Sequence, residues 1–231
     1  MRGHAGRWAV PVRRAAILVL ALFFGLLLGA AIPLAFSAPL APAADASPKV
    51  SIPASSYLYR WKLEREVSSR FDDLTPVARI AAQVHAESRW RADARSAYAQ
   101  GMAQFTPATA AWLHNVCPQL GAADPWDPNW SVRAVVCYDA WLHAQVDGGS
   151  ACDRWAFTLS AYNGGLGWVA RDRRLAQAQG ADPLRWFGHV DAHSARARWA
   201  IDENRTYVSS ILRVYEPAYI AAGWPGEVVC A

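Results

Sequence analysis

Residues 75–90 read TPVARIAAQVHAESRW, and this stretch predicts a helix with one apolar face. Thr75 followed by Pro76 is typical of a helix start, because Pro fits the first helical turn, where its missing N–H is not needed. Apolar residues then recur at intervals of three and four, at Val77, Ile80 and Val84. Glu87 is the next position of this series, so the sequence places a carboxylate on the face that points to the core.

A carboxylate in that position has two interpretations. Burial of an ionised carboxylate costs several kcal/mol unless it is paired, so the pKa of a buried Glu87 should be raised. A glutamic acid that keeps its proton near neutral pH can act as a general acid. In the alternative interpretation the helix frays after Val84, and Glu87 turns outward as a surface ion pair with Arg89 or Arg91. Periodicity alone favours this second interpretation.

The rest of the chain predicts a mostly α domain. Thr106-Pro107 and Asp127-Pro128 repeat the helix-start pattern of Thr75-Pro76. No alternating apolar pattern of useful length indicates a strand. Further helices are predicted at residues 131–142, from a cap at Asp153 to Gly164-Gly165, at 166–179 and at 195–215.

The charge of the chain is concentrated at its N-terminus. The 231 residues include 23 basic and 19 acidic side chains, and the first 43 residues contain four Arg and no acidic residue. The remainder therefore carries 19 charges of each sign and shows no Lys/Arg stripe. Because nucleic-acid binding needs a basic surface, we expect no nucleic-acid partner.

An uncharged run, AAILVLALFFGLLLGAAI, occupies residues 15–32 and is about as long as a bilayer span. Preceding basic residues predict a cytoplasmic N-terminus. Residues 1–36 are predicted to be a signal peptide or a retained signal anchor, and both remain open. Residues 37–54 are a Pro/Ala-rich linker, and residues 55–231 are the folded domain. We expect the domain to be periplasmic, with the inner membrane contacted through residues 15–32.

The four cysteines lie in the exported part and show no C-x-x-C spacing. Export to an oxidising compartment predicts two disulfides, and the sequence leaves three connectivities open. We expect no metal site and no cofactor. The four residues are Cys117, Cys137, Cys152 and Cys230.

Four short motifs follow one another in a fixed order. Glu87-Ser88 is followed by GMAQFTPAT at residues 101–109, by AYNGG at 161–165 and by ENRTYV at 203–208. This order resembles the lytic transglycosylases of the soluble type, which carry Glu-Ser, Gly-Leu-Met-Gln-x-x-Pro-x-Thr, Ala-Tyr-Asn-Ala-Gly and Glu-Thr-x-x-Tyr-Val. The resemblance covers residues 73–215. It implies a lysozyme-like helical domain with a catalytic cleft, of the goose-lysozyme type.

The resemblance also implies a reaction. Enzymes of this family cleave the β-1,4 bond between N-acetylmuramic acid and N-acetylglucosamine in peptidoglycan and form a 1,6-anhydro ring. Glu87 would be the sole catalytic residue, protonating the glycosidic oxygen and then accepting the proton of the 6-hydroxyl group. Most glycosidases use two carboxylates about 5–9.5 Å apart. No motif pairs another acid with Glu87, and Glu203 is expected to be structural, bonded to loop backbone or to Arg205.

The same resemblance implies a set of substrate-binding residues. Gln104 would bind the acetamido group of the sugar, or else satisfy the backbone of its own loop. Tyr162 would form a hydrogen bond near the catalytic carboxylate, and Tyr207 would contribute a hydroxyl from the opposite wall. Gly164 and Gly165 would allow a left-handed helix exit. The predicted substrate-binding residues are Ser96, Tyr98, Gln104, Tyr162, Asn163 and Tyr207.

Aromatic side chains suit sugar rings, and the chain has 12 Trp. Most are expected in the core, and one or two of Trp90, Trp168 and Trp186 are expected to reach the glycan. His85 lies two positions before Glu87, so it should face elsewhere on the helix. Ser88 is expected to orient Glu87 or to cap the helix end.

Two other functions fit the same sequence. One is a true hydrolase, a goose-type lysozyme on the same fold, and the other is an inactive glycan-binding wall anchor. The intact Glu87, Gln104 and Tyr162 argue against the inactive module. The biological role could be wall remodelling, opening the wall for a secretion apparatus, or a phage endolysin. The Ala- and Gly-rich apolar run favours an endolysin, and we expect a monomer that binds glycan strands.

Overall fold

The structure, a computed structural model, describes residues 50–72 and 75–230. Within these residues the only β contacts are isolated bridges between Arg95 and Gln100 and between Gln100 and Phe105. The prediction of a mostly α chain is therefore confirmed. The helices are α1 Ser56–Ser68, α2 Val77–Ser88, α3 Pro107–Trp112, α4 Pro128–Gln145, α5 Ala151–Gly164, α6 Leu166–Ala178, α7 Arg198–Ser210 and α8 Glu216–Ala221. A π-helical turn at Ile211–Tyr215 joins α7 to α8, and 3-10 turns lie at Leu113–Asn115, Pro118–Leu120 and Val190–Ala192.

No helix in the described part of the chain is long and apolar enough to cross a bilayer. The predicted span at residues 15–32 lies outside that part, as do residues 1–36 and most of the linker at 37–54.

Two predicted helix starts are confirmed by their caps. The Thr106 hydroxyl accepts a hydrogen bond from the backbone N–H of Thr109 at 3.1 Å, and Pro107 begins α3. The Asp127 carboxylate accepts from the N–H groups of Asn129 and Trp130. These oxygens replace the partners that the first N–H groups of a helix lack. The segment predicted at 131–142 belongs to the longer α4.

Three other predicted boundaries are wrong. Pro76 precedes α2 instead of opening it. Asp153 is not a cap: the Ser150 hydroxyl accepts from the Asp153 N–H at 3.1 Å, and the Asp153 carboxylate accepts from the N–H of Trp186 at 2.8 Å. The helix predicted from residue 195 begins at Arg198, because Ala197 has an extended ψ of 144°.

Helix α2 is buried on all sides rather than along one stripe. Every residue from Val77 to His85 is buried, and α1, α8 and the π-helical turn pack around it. Alanines occupy the faces between the larger apolar side chains, so neighbouring helices can approach closely. Two polar side chains, Arg79 and Gln83, are enclosed with them. The helix is thus a central column, and its C-terminal end carries Glu87.

Both predicted disulfides are present. Cys117 pairs with Cys137 and fixes the loop after α3 to α4. Cys152 pairs with Cys230 and fixes the start of α5 to the C-terminal segment. The structure thus selects one of the three connectivities.

Candidate active site

A cavity of about 970 Å³ opens beside the C-terminal end of α2. Its walls are the loop that follows α2, parts of α4, α5 and α6, and one face of α7. The seven residues predicted from the sequence as catalytic or substrate-binding all line this cavity: Glu87, Ser96, Tyr98, Gln104, Tyr162, Asn163 and Tyr207.

Glu87 lies where the apolar stripe placed it, at the inner wall of the cavity. Burial raises the pKa of its carboxyl from 4.5 to about 8. The Tyr207 hydroxyl donates a 2.6 Å hydrogen bond to Oε1 and lowers this pKa, while the charge of Glu203 raises it further. Burial has the largest effect, so Glu87 holds a proton at neutral pH.

The alternative interpretation, a surface ion pair, is wrong. No ion pair joins Glu87 to Arg89 or Arg91 in the described part of the chain. Arg89 ends α2 with a left-handed φ of 55°, and the Arg91 guanidinium donates to the Ser88 carbonyl. The left-handed turn directs both arginines away from the stripe.

Ser88 fixes the end of α2 to the loop that carries Gln104. Its hydroxyl donates a 2.6 Å hydrogen bond to the carbonyl of Met102. Trp90, two residues later, is buried, and its indole N–H donates to the Tyr219 hydroxyl at 2.7 Å. The segment after Glu87 is therefore held from both sides.

The Gln104 loop is tightly folded around Gly101. Gly101 has a φ of 74°, and a Cβ atom at this position would collide with the Pro125 carbonyl. Gln104 itself has a φ of 50°, and its amide N–H groups donate to the carbonyls of Ala94 at 3.1 Å and of Gly101 at 2.8 Å. The structure thus supports the loop-stabilising interpretation of Gln104, whose side chain still lines the cavity.

The hydroxyls of the two tyrosines bind different groups. The Tyr162 hydroxyl donates to the carbonyl of Ala103 at 2.8 Å, so it supports the Gln104 loop instead of the carboxylate. Tyr207 makes the direct contact with Glu87. Burial raises the pKa of both phenols well above 10, so both hydroxyls remain proton donors.

Glu203 lies in the same cavity as Glu87, and its expected contact with Arg205 is wrong. Glu203 Oε1 accepts from the amide of Asn163 at 3.3 Å. Arg205 instead donates to the carboxylate of Asp172 and to the side-chain oxygen of Asn204. The amide of Asn204 donates to Asn163 Oδ1 at 2.8 Å, which orients the Asn163 amide toward Glu203.

The two glycines after Asn163 have different roles. Gly165 has a φ of 93° and provides the predicted left-handed exit. Gly164 is still helical, and a Cβ atom there would meet the guanidinium of Arg196 and the amide of Asn204. The left-handed role expected for Gly164 is therefore wrong, and the position is limited by space.

Ser96 and Tyr98 lie on the exposed rim of the cavity. The Ser96 hydroxyl accepts from the N–H groups of Tyr98 at 3.3 Å and Ala99 at 2.9 Å, so it shapes a turn. Tyr98 is 80% exposed. The turn holds the Tyr98 ring at the mouth of the cavity.

One or two of Trp90, Trp168 and Trp186 were expected near the glycan, and of these three Trp168 lines the cavity. Trp90 and Trp186 are buried in the core. Trp199 was missed, although it lines the cavity and is 70% exposed. A signal existed, because Trp199, Glu203 and Tyr207 recur at intervals of four and so share one face of α7.

Two buried polar side chains, His85 and Asp139, lie near the site but do not line the cavity. The His85 ring stacks on Tyr215 with ring centroids 4.6 Å apart, and burial lowers its pKa to about 4, so it is neutral and faces away from the cavity as expected. Asp139 is fully buried, and burial raises its pKa well above 3.8 while the amide of Gln83 donates to it at 3.3 Å.

Among residues 50–72 and 75–230, no group of three or more His, Cys, Asp or Glu could hold a metal ion.

The fold and the site define a class of protein: a helical domain with a protonated glutamic acid in a cavity that aromatic side chains line. Residues 73–184 match the family model of the transglycosylase SLT domain. The resemblance found in the motifs is therefore confirmed for residues 73–184, which are similar to a transglycosylase SLT domain.

The relatives carry one common name. The chain is 33% identical over 150 residues to membrane-bound lytic murein transglycosylase F of Vibrio campbellii, covering 59% of this chain and 27% of the relative. It is 31% identical over 173 residues to the Vibrio cholerae protein of that name, covering 69% and 31%. It is 37% identical over 110 residues to the Pasteurella multocida protein, covering 47% and 21%. The chain thus spans less than a third of the length of these relatives.

Proposed function

We propose that this protein is a peptidoglycan lytic transglycosylase with a lysozyme-like catalytic domain. It cleaves the β-1,4 bond between N-acetylmuramic acid and N-acetylglucosamine and forms 1,6-anhydro-muramic acid. The observation that carries the proposal is the protonated carboxyl of Glu87, with its pKa raised to about 8, at the wall of a cavity large enough for a ligand. The matching domain and the names of the relatives support it.

The geometry supports one residue acting as acid and then as base. Protonated Glu87 donates its proton to the glycosidic oxygen as the bond to the anomeric carbon breaks. The carboxylate that remains accepts the bond from Tyr207, which stabilises the new negative charge. Glu87 then takes the proton of the muramic 6-hydroxyl, while that oxygen bonds to the anomeric carbon. The acetamido oxygen of the substrate stabilises the positive charge at that carbon.

Substrate contacts are proposed for the remaining cavity residues. The rings of Tyr98 and Trp199 are largely exposed on the rim of the cavity. A sugar ring that stacks on them removes apolar surface from water, which favours binding. Trp168 offers a third ring on α6. Asn163 presents an amide fixed by Asn204 and Glu203, and Gln104 shapes the floor beside Glu87.

Product analysis tests the reaction. Purified sacculi digested by the protein should release muropeptides that end in 1,6-anhydro-muramic acid, about 18 Da lighter than the hydrated form because water is not added. Mass spectrometry distinguishes the two products. A reducing-end muramic acid in most fragments would refute the transglycosylase reaction.

A hydrolase is the second candidate because of one observation. Glu203 lies in the same cavity and its charge acts on Glu87, so a second carboxylate is available to activate water. The bond that it accepts from Asn163 favours a positioning role. The mass of the released ends decides between the two reactions.

Replacement of Tyr207 by Phe should change the pH dependence of cleavage. The Tyr207 hydroxyl lowers the pKa of Glu87, so its loss should raise that pKa above about 8. Because the acid form of Glu87 starts the reaction, the alkaline limb of kcat/KM should move to higher pH, with a decrease of roughly tenfold at the optimum. Measurement of rates from pH 5 to 10 provides the profile.

Replacement of Tyr162 by Phe is the matched control. Its hydroxyl donates to the Ala103 carbonyl, so this variant should lose thermal stability without moving the alkaline limb. An unchanged limb in the Tyr207→Phe variant, or an equal shift in both, would contradict the assignment of Tyr207 as the partner of Glu87.

We propose that the domain works outside the cytoplasm, exported by residues 1–36 and joined to them by the linker at 37–54. The two disulfides are consistent with an oxidising compartment, and the relatives are named membrane-bound. Wall remodelling and lysis from within by a phage enzyme are both compatible with this location. Expression with and without residues 15–32 distinguishes them by whether the exported form lyses the cell.

A further inference from the structure

Arg196 is a buried cation in the wall of the cavity, and no step of the proposed reaction uses it. It lies in the loop before α7, is 9% exposed and lines the cavity. Its Nη2 donates to Asp172 Oδ2 at 3.1 Å, and its Cζ lies 5.4 Å from the centroid of the Trp168 ring. A cation enclosed in this way needs compensation from charge or hydrogen bonds.

The charges around Arg196 do not cancel. Asp172 is buried, and its carboxylate receives both Arg196 and Arg205, the latter at 2.9 Å. Two guanidinium groups therefore share one carboxylate. Arg205 also donates to the Asp191 carbonyl and to Asn204, whereas Nε of Arg196 has no partner among the described residues. The excess positive charge thus belongs to the arginine in the cavity wall.

In the part of the chain that the structure describes, neither Glu203 nor Asp202 forms an ion pair with Arg196. Glu203 accepts from Asn163, and Asp202 pairs with Arg198 on the surface. In the described part of the chain, the ion pair of Arg196 is with Asp172. An anionic group entering the cavity would therefore meet an incompletely compensated guanidinium.

The sequence makes room for this guanidinium. The family segment Ala-Tyr-Asn-Ala-Gly reads Ala-Tyr-Asn-Gly-Gly here, with Gly164 in place of Ala. A Cβ atom on Gly164 would collide with Nη1 of Arg196 and would lie 3.2 Å from its Cζ. The missing methyl group thus leaves space for the guanidinium beside Gly164, so the departure from the family pattern and the position of Arg196 belong together.

We propose that Arg196 binds a carboxylate of the peptidoglycan strand, next to the bond that is cleaved. The proposal rests on the proposed function. A planar guanidinium suits a carboxylate because its N–H donors match both oxygens, and the Trp168 ring lies beside it. Two sources of that carboxylate exist: the peptide attached to muramic acid, and the free lactyl group on strands from which the peptide has been removed.

Binding measurements separate these sources. The full chain carrying Glu87→Gln binds without turnover, and Arg196→Gln is added to remove the cation. Calorimetry is performed with peptide-bearing strands, with strands stripped of peptide, and with neutral N-acetylglucosamine oligomers. Arg196→Gln should weaken binding of at least one carboxylate-bearing strand about tenfold and leave the neutral oligomer unchanged. The strand that loses affinity identifies the source.

Two further variants exclude a purely structural explanation. Gly164→Ala should displace the guanidinium and reproduce the selective loss, while Arg196→Lys should retain part of the affinity for the same strand. Equal weakening on all three ligands, or no weakening on any, would overturn the proposal. Failure of the proposed function is distinguishable, because the wild-type protein would then release no muropeptides from sacculi, or muropeptides that end in reducing muramic acid, whatever Arg196 binds.

Discussion

Replacement of Glu87 by Gln is expected to lower the rate of strand cleavage by about a thousandfold. Gln keeps the size and the acceptor for the Tyr207 hydroxyl but has no acidic proton, and general acid catalysis contributes about 10²–10⁴-fold to a rate. Because the same group then acts as base, no other side chain of the cavity substitutes for both steps. The release of soluble muropeptides from sacculi measures the rate.

Asp93→Asn is the matched control for this variant. Asp93 is an exposed carboxylate on the loop after α2 and does not line the cavity, so its neutralisation should leave the rate unchanged. Equal, measurable rates for the wild type and the Glu87→Gln variant would contradict the catalytic role of Glu87. No release of muropeptides by either protein would support the inactive glycan-binding module instead of an enzyme.

The Glu87→Gln variant should also change the pH dependence of stability. The pKa of Glu87 is raised from 4.5 to about 8 in the folded protein, so the folded state favours the protonated form. The associated stabilisation is present below pH 4.5 and is lost as the pH rises through about 8. A glutamine has no such dependence, so the free energy of unfolding of the variant should fall less than that of the wild type between these pH values.

The sequence was sufficient for features that depend on local spacing. Thr106-Pro107 and Asp127-Pro128 identified two helix starts because a cap and its N–H partners lie within three residues. The 3.6-residue period of α2 placed Glu87 on the apolar face, but the three distant motifs were needed to favour a buried carboxyl over a surface ion pair. The four motifs contribute residues to one cavity because the fold brings together the end of α2, the Gln104 loop, the end of α5 and one face of α7.

Features that depend on long-range contacts could not be predicted. Whether the hydroxyl of Tyr162 or of Tyr207 reaches Glu87 depends on the packing of α5 and α7 against the end of α2, which no local pattern records. Trp90 and Trp199 show the same limit, because both are single aromatic residues next to charged neighbours. One is buried in the core, and the other is exposed at the cavity.

The second large effect is a loss of folding stability, expected when the buried ion pair of Arg79 and Glu216, next to the π-helical turn, is broken. Glu216 is the first residue of α8, and its Oε1 forms an ion pair with Nη2 of Arg79 in α2 at 2.6 Å. The side chains of Glu216 and Arg79 are 0% and 1% exposed. Glu216 directly follows Tyr215, which lines the cavity. The pair therefore fixes the turn that carries Tyr215 to the helix that carries Glu87. π-Helical turns are often found at functional sites, where an inserted residue redirects side chains.

Replacement of Glu216 by Ala is expected to lower the free energy of unfolding by about 3–5 kcal/mol, because it leaves the Arg79 charge buried without its carboxylate. Arg79 also contacts the Trp155 ring at 4.6 Å and the Glu227 carbonyl at 3.2 Å, and neither of these two groups carries a negative charge. Denaturant unfolding at pH 8 measures the loss, since burial raises the pKa of Glu216 to about 7 and the carboxyl is ionised above that value.

A double replacement supplies the control for this prediction. Arg79→Met combined with Glu216→Leu removes both charges and fills the space with apolar atoms, so it should destabilise the protein much less than Glu216→Ala alone. A change below about 1 kcal/mol in the Glu216→Ala variant would contradict the assignment of a buried ion pair. Tyr215 directly precedes α8 and lines the cavity, so a shift of α8 in the single variant would displace it. The single variant should therefore also lose cleavage activity at temperatures where it remains folded, whereas the double variant should retain it.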